Sequence, residues 1–272
     1  MKIGFVTCVK LGLSCIEAIL KSGDKFELFI TLQDHLSVTK SGRIYLDETS
    51  KKYKIPLYKI NHINSPEVLD IIQKHELDWL FIIGWSQIAN TSIINAPKNG
   101  VIGAHPTLLP IGRGRAAIPW TIIKGFKKTG VTFFKLNEGV DTGDIIDQFE
   151  IMLDPQITAS QLYILVDHVH IKLMKRVWYN IHNRTLQLKP QDNNKATYWT
   201  ARKPTDGELH NSMLVEDVDK LVRATTKPYP GAYIIYKQKK LIIWKGEIGL
   251  HTNGINLHFL NGSYTVIDFD MI

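Results

Sequence analysis

The stretch Lys2-Ile3-Gly4-Phe5-Val6-Thr7 opens the chain as a short apolar run, and Leu13-Ser14-Cys15-Ile16-Glu17-Ala18-Ile19-Leu20 follows it with a helical pattern. We read this as a buried strand, a turn and a helix. The same alternation continues outward from it. Phe26 to Thr31 is strand-like, and Pro56 to Ile60 is a weaker strand. Ser65 opens a helix with Glu67 in its first turn and Val68, Ile71 and Ile72 on one face. Trp79 to Ile83 is a continuous apolar run closed by Gly84, and Val101 to Ala104 is another. Strands alternating with helices over residues 1–150 predict an α/β fold with a mainly parallel sheet.

Further along, Ile118 to Ile123 is a predicted helix with Pro119 in its first turn. Thr129 to Leu136 and Ile145 to Met152 are β-rich. Thr158 and Gln161 form a capping-box signature. Leu162, Leu165, Val166, Val169, Leu173 and Val177 then make one apolar stripe, so a long helix is expected to about Ile181. Residues 186–210 are polar and turn-rich. From about Gly231 the pattern changes to short strands: Tyr233 to Tyr236, Leu241 to Trp244, Gly254 to Phe259 and Tyr264 to Phe269. The expected organisation is a catalytic domain over residues 1–200 and a small β-rich subdomain over 201–272. The apolar strands of the tail are a candidate dimer surface.

The chain has 272 residues, 44% hydrophobic and 22% charged, which is an ordinary globular composition. Its only cysteines are Cys8 and Cys15, so no disulfide framework is implied and a reducing, cytoplasmic location is expected. No metal is expected, because no cysteine or histidine group has ligand spacing. The opening apolar run is too short for a signal peptide, and no segment has the length of a membrane span. The formal charge of +7 comes from scattered lysines rather than a focused patch. That favours small anionic substrates or mere solubility over bulk nucleic-acid binding.

The informative motif is Ala104-His105-Pro106-Thr107-Leu108-Leu109-Pro110. His105 follows a predicted strand of the parallel sheet, and open α/β sheets bind ligands just beyond the carboxyl ends of their strands. Two prolines stiffen the loop after it. A histidine held in this way suits proton transfer near neutral pH, although a strand-capping histidine has the same signature. The second element is Asp141, in Val140-Asp141-Thr142-Gly143-Asp144. Its carboxylate can orient an imidazole, or it can be ordinary turn chemistry. The loop Thr7 to Gly12 lacks the glycine spacing of a dinucleotide site.

Together, HPTLLPIGRGRAAIPW (105–120) and TGVTFFKLNEGVDTGDII (129–146) resemble the folate-dependent formyltransferase superfamily. Arg202-Lys203-Pro204-x-Asp206-Gly207, Leu221 to Ala224, and Pro228-Tyr229-Pro230-Gly231-Ala232 are most similar to the sugar N-formyltransferases of that group. The resemblance implies a Rossmann-like domain, N10-formyltetrahydrofolate as formyl donor, and His105 and Asp141 as catalytic residues. It implies cofactor-binding positions at Ile83, Gly84, Trp85 and Gln87, and at Leu136, Asn137 and Gly139. The expected acceptor is the amine of a nucleotide-linked amino-dideoxy sugar made for surface polysaccharide. A dTDP- or UDP-linked 4-amino-4,6-dideoxyhexose is the first choice and the 3-amino isomer the next. Lys10 and Arg113 are candidate partners of its pyrophosphate, and Tyr229 of its base. No nucleic acid or membrane partner is expected.

The family usually carries Asn-x-His, with the Asn side chain at the formyl oxygen. Here that position is Gly103. Either Gln87 or Asn137 supplies the missing donor, or the enzyme works without it, or the chain binds ligand without turnover. The alternatives to a sugar N-formyltransferase are therefore a methionyl-tRNA formyltransferase and a non-catalytic folate- or nucleotide-binding protein.

Overall fold

The structure is a computed structural model that describes residues 1–37 and 42–272. In chain order the first elements are β1 (Ile3–Val6), α1 (Lys10–Leu20), β2 (Leu28–Leu32), α2 (Asp34–Ser37), α3 (Asp47–Tyr53) and β3 (Leu57–Ile60). Then come α4 (Pro66–Lys74), β4 (Trp79–Ile82), α5 (Thr91–Asn95), β5 (Val101–His105), β6 (Arg113–Gly114), α6 (Ala117–Ile123), β7 (Lys128–Lys135) and β8 (Ile145–Met152). The chain continues with α7 (Ala159–His182), β9 (Tyr198–Trp199), α8 (Val215–Thr225), β10 (Ala232–Tyr236), β11 (Lys239–Ile248), β12 (Ile255–Phe259) and β13 (Gly262–Met271). Two compact units result. Met1–Arg113, Gly130–Glu150 and Val166–Tyr198 make the first; Gly114–Thr129, Ile151–Leu165 and Trp199–Ile272 make the second.

The large sheet has seven strands in the order β3-β2-β1-β4-β5-β7-β8. The first five are mutually parallel, and β7 runs antiparallel to β5. This is the mainly parallel, Rossmann-like α/β sheet that the alternating pattern predicts. The central strands are buried along their whole length, which is why they read as unbroken apolar runs. Register places Phe5 beside Phe29 on β2 and Phe81 on β4, a row of rings across one face. Phe26 meets Phe5 edge-on at 5.5 Å, and Trp178 of α7 meets Phe26 at 4.9 Å. Each fully buried ring contributes roughly 1.5–3 kcal/mol. On the other face Val6, Leu28, Ile30, Leu80 and Ile82 pack with Val68 and Ile72 of α4 and Ile93 of α5. Pro66 starts α4, where its missing N–H has no helical partner to lose.

The strand order reverses between β1 and β4, the point where such sheets open a crevice at their carboxyl ends. There Gly84 has φ +65, and a Cβ on it would lie 2.2 Å from Val9 Cγ2. Only glycine lets the loop after β4 sit this close to the loop after β1.

In the second unit, β10-β11-β13-β12 form an antiparallel sheet. Its inner side, with Leu241, Ile243, Leu257, Phe259 and Val266, packs on Val215, Val218, Leu221 and Val222 of α8. Strands lie where the tail pattern expects them, but β11 and β13 run for ten residues each, longer than the expected segments. Helix α8 was not anticipated; the Leu221–Ala224 motif lies within it.

Candidate active site

β5 ends on His105, and the loop after it is tied to the adjacent strands by side chains. Leu109 N–H donates to Thr132 Oγ1 (3.1 Å), whose hydroxyl donates to Thr107 O (2.7 Å). Gln148 Nε2 donates to Leu109 O at 2.7 Å. His105 is 7% exposed. Its Nε2 lies 2.7 Å from Gly112 O, and a carbonyl only accepts, so the proton of the neutral ring sits on Nε2. Its Nδ1 faces Asp141 Oδ2 at 3.5 Å. The pair named from sequence thus meets, with a gap slightly longer than a direct hydrogen bond.

Asp141 adopts φ +54, a conformation costly for a residue with a Cβ. Gln191 Nε2 donates to Asp141 O (2.9 Å) and Gly143 O (2.7 Å), holding that loop from the outside. Beside this centre lies a second buried histidine, His170 of α7, with its ring 5.8 Å from that of Phe133. Burial pushes its pKa down to about 4, with the charge on His105 acting in the same direction and the Val166 carbonyl opposing.

The expected cofactor positions form two adjacent loops. Ile83 is fully buried, and its N–H donates to Val6 O (3.1 Å). Trp85 and Leu136 pack against the same apolar layer. Trp85 Nε1 is buried without an acceptor among the described residues. Gln87 is committed elsewhere: Oε1 accepts from Ile63 N–H (2.8 Å) and Nε2 donates to Asn61 O (3.1 Å). Asn137 Oδ1 accepts from Gly139 N–H and Thr142 Oγ1, which leaves its amide nitrogen as the remaining donor. Gly139 lies close under Thr142, since a Cβ there would meet Thr142 Oγ1 at 2.1 Å. At Gly103 an added Cβ would meet Leu136 Cδ2 at 2.7 Å, so Leu136 fills the space that an asparagine would need.

Of the expected substrate ligands, Lys10 is an exposed residue at the first position of α1. Tyr229 belongs to the second unit and is half-buried; desolvation, with Tyr163 adding, raises its hydroxyl pKa. Arg113 requires a correction. It is only 1% exposed, and its nitrogens donate to Gln191 Oε1 (3.1 and 2.8 Å), Tyr198 OH (2.8 Å) and Asn193 Oδ1 (2.8 Å). A guanidinium whose hydrogens are already directed to protein oxygens holds loops together instead of meeting a pyrophosphate. Gln191, Asn193 and Tyr198 escaped the sequence reading, because a polar, turn-rich segment shows no pattern that separates structural side chains from solvated ones.

The formyl transferase family profile matches residues 33–178, and the profile of the formyl transferase C-terminal domain matches 202–270. The chain belongs to the formyl transferase family. Among formyl transferase relatives, the bifunctional polymyxin resistance protein ArnA of Wigglesworthia glossinidia brevipalpis is 30% identical over 255 residues. That match takes in 92% of this chain but 38% of the relative, so the chain spans well under half of that protein. A methionyl-tRNA formyltransferase of Alkaliphilus oremlandii is 28% identical over 250 residues, covering 91% of this chain and 80% of the relative. In fold, the chain is similar to an N-formyltransferase from Helicobacter canadensis, solved in complex with folinic acid and dTDP-3-aminofucose. The TM-score is 0.76 at 16% identity, over 99% of this chain and 100% of the other. Among the described residues no helix is long and apolar enough to cross a membrane.

Proposed function

We propose that this formyl transferase moves the formyl group of N10-formyltetrahydrofolate to the amine of a nucleotide-linked amino-dideoxy sugar. The observation that carries the reading is the pairing of buried His105, at the carboxyl end of β5, with partly buried Asp141. Trp85 Nε1–H, which has no partner among the described residues and lies by the apolar layer that Leu136 also packs against, fits a flat heterocycle with polar edges such as a pterin. We assign the catalytic domain to residues 1–200 and the subdomain to 201–272.

The reaction forms an N–C bond to the acceptor amine and breaks the N–C bond to the folate, and the amine proton leaves with the folate nitrogen. His105 and Asp141 carry that proton. Because Nε2–H is held by Gly112 O, the face of the ring open to proton transfer is Nδ1, beside Asp141. Asp141 orients the ring. With Gln87 engaged by Asn61 and Ile63, Asn137 Nδ2 is the better donor for the formyl oxygen in place of the asparagine absent at Gly103. Lys10 remains an assigned sugar-nucleotide contact.

The Helicobacter canadensis protein was solved with a 3-amino sugar, which moves the 3-amine ahead of the 4-amine as acceptor. A second reading, transfer to methionyl-tRNA, is favoured by the name of the Alkaliphilus relative. One experiment separates them. The protein is incubated with N10-formyltetrahydrofolate and dTDP- and UDP-linked 3- and 4-amino sugars, and products are weighed for the gain of one formyl group. No product across the panel, together with tRNA binding that weakens steeply with salt, would replace the sugar reading by the tRNA one.

A further inference from the structure

We propose that Gln191 is a positioning residue, which locks the Asp141 loop to the His105 loop and thereby sets the geometry of the pair. The inference rests on the catalytic reading of His105 and Asp141. Gln191 Oε1 accepts from Arg113 Nε (3.1 Å) and Nη2 (2.8 Å). Its Nε2 gives its two hydrogens to Asp141 O (2.9 Å) and Gly143 O (2.7 Å). Arg113 can only donate and the carbonyls can only accept, so the amide has one workable orientation. On one side of it stands the backbone of the catalytic aspartate, at φ +54. On the other stands Arg113, the residue after Gly112, whose carbonyl holds His105 Nε2.

The neighbouring backbone reinforces the link. Gly112 N–H donates to Thr197 Oγ1 (2.8 Å), and Arg113 N–H to Thr197 O (2.9 Å). The segment from Gln191 to Thr197 therefore grips both loops of the site. Of these contacts only the Gln191 amide reaches from one loop to the other through a single side chain. The Arg113 guanidinium, buried and solvated by neutral oxygens, cannot turn to another partner without losing them.

Two variants test this. Gln191→Leu removes both sides of the link. Gln191→Glu keeps the acceptor for Arg113, and so guards the fold, but sets a carboxylate oxygen against the carbonyls of Asp141 and Gly143. Both are expected to lower kcat about 10- to 100-fold, the scale of a misplacement near 1 Å, with little change in the KM of either substrate. In the background of Asp141→Ala, Gln191→Leu is expected to cause no further loss. The ring 15N signals of His105, read without substrate, should shift in both variants. Unchanged kcat in both variants, losses that add to that of Asp141→Ala, or unchanged ring signals would overturn the proposal. The underlying reading fails in a different way, through His105→Ala keeping full activity.

Discussion

His105 at the end of β5 and His170 in the middle of α7 are both buried, at 7% and 1% exposure, yet their surroundings differ in kind. His105 has an acceptor at each ring nitrogen: the Gly112 carbonyl and the Asp141 carboxylate. His170 has one, the Val166 carbonyl 2.8 Å from Nδ1, with the Phe133 ring alongside. A carboxylate near Nδ1 gives that nitrogen of His105 a charged neighbour. Among the described residues no carboxylate pairs with His170, and burial holds it neutral, with a pKa of about 4. Burial is common to both; the partners decide which ring can exchange a proton.

The comparison breaks first at His105. His105→Ala and Asp141→Asn are each expected to lower kcat by about 10²- to 10⁴-fold, the usual range for lost general acid–base catalysis. His170→Phe should leave the rate within a few-fold of wild type, since a ring held neutral takes no part in the transfer. Steady-state assays on the purified variants check both. A rate in His170→Phe as low as in His105→Ala would reverse the assignment of roles.

His170 should instead show itself in stability. Its folded pKa lies below the ordinary value of 6.5, so the neutral ring favours the folded state at pH above 6.5. That contribution is lost as pH falls from 6.5 towards 4, because the unfolded chain takes up the proton first. A span of this size corresponds to about 3 kcal/mol. Burial raises Asp147 and Asp167 above the ordinary 3.8, so they act with the opposite sign as pH falls towards 3.8. The slope between pH 6.5 and 4.5 in urea unfolding should therefore be shallower in His170→Phe than in wild type. Identical slopes would show that His170 is charged or exposed.

A smaller effect concerns Gly103, two residues before His105. Gly103→Asn restores the residue usual in the family, but its Cβ would meet Leu136 Cδ2 at 2.7 Å. The expected cost is about 1–3 kcal/mol of stability from overpacking. The rate should not rise unless Leu136 is also made smaller. Thermal unfolding and kcat of the single variant and of Gly103→Asn with Leu136→Ala would decide this. A single variant as stable as wild type and faster would mean that Leu136 does not occupy the missing side chain's place.

The parts of the molecule legible in the sequence are those that packing writes into it. Trp79 to Ile82 and Val101 to Ile102 are buried on both faces and appear as apolar runs. His105 stood out because it ends such a run, and Asp141 because its turn carries flanking glycines. Helix α8 has apolar residues at 215, 218, 221 and 222, a stripe that Glu216, Asp217 and Asp219 partly mask. Helix α3 buries nothing and so left no stripe to read. Arg113 was misread because a charge in a glycine-rich loop has the signature of an exposed one. Its partners lie 78 to 85 positions away in sequence. Hydrogen bonds between polar side chains that distant impose no period, and they become visible only when the fold closes the loops.

The smallest effect to measure is also the most direct test of the contrast between the two rings, because it involves no loss of rate or stability. The neutral His105 should carry its proton on Nε2, where Gly112 O accepts it, and His170 on Nδ1, where Val166 O accepts it. These are opposite tautomers, and the 15N shifts of the ring nitrogens distinguish them. Asp141→Asn removes the carboxylate from Nδ1 of His105 alone, so the pattern of His105 should change while that of His170 stays the same. Near neutral pH the His170 pattern should not respond to acid, given a pKa of about 4. Two rings in the same tautomer would mean that one of the two carbonyl contacts is not a hydrogen bond. If the ring concerned were His105, Nε2 would be free to take up a proton, and the argument for transfer through the Asp141 side of the ring would fail with it.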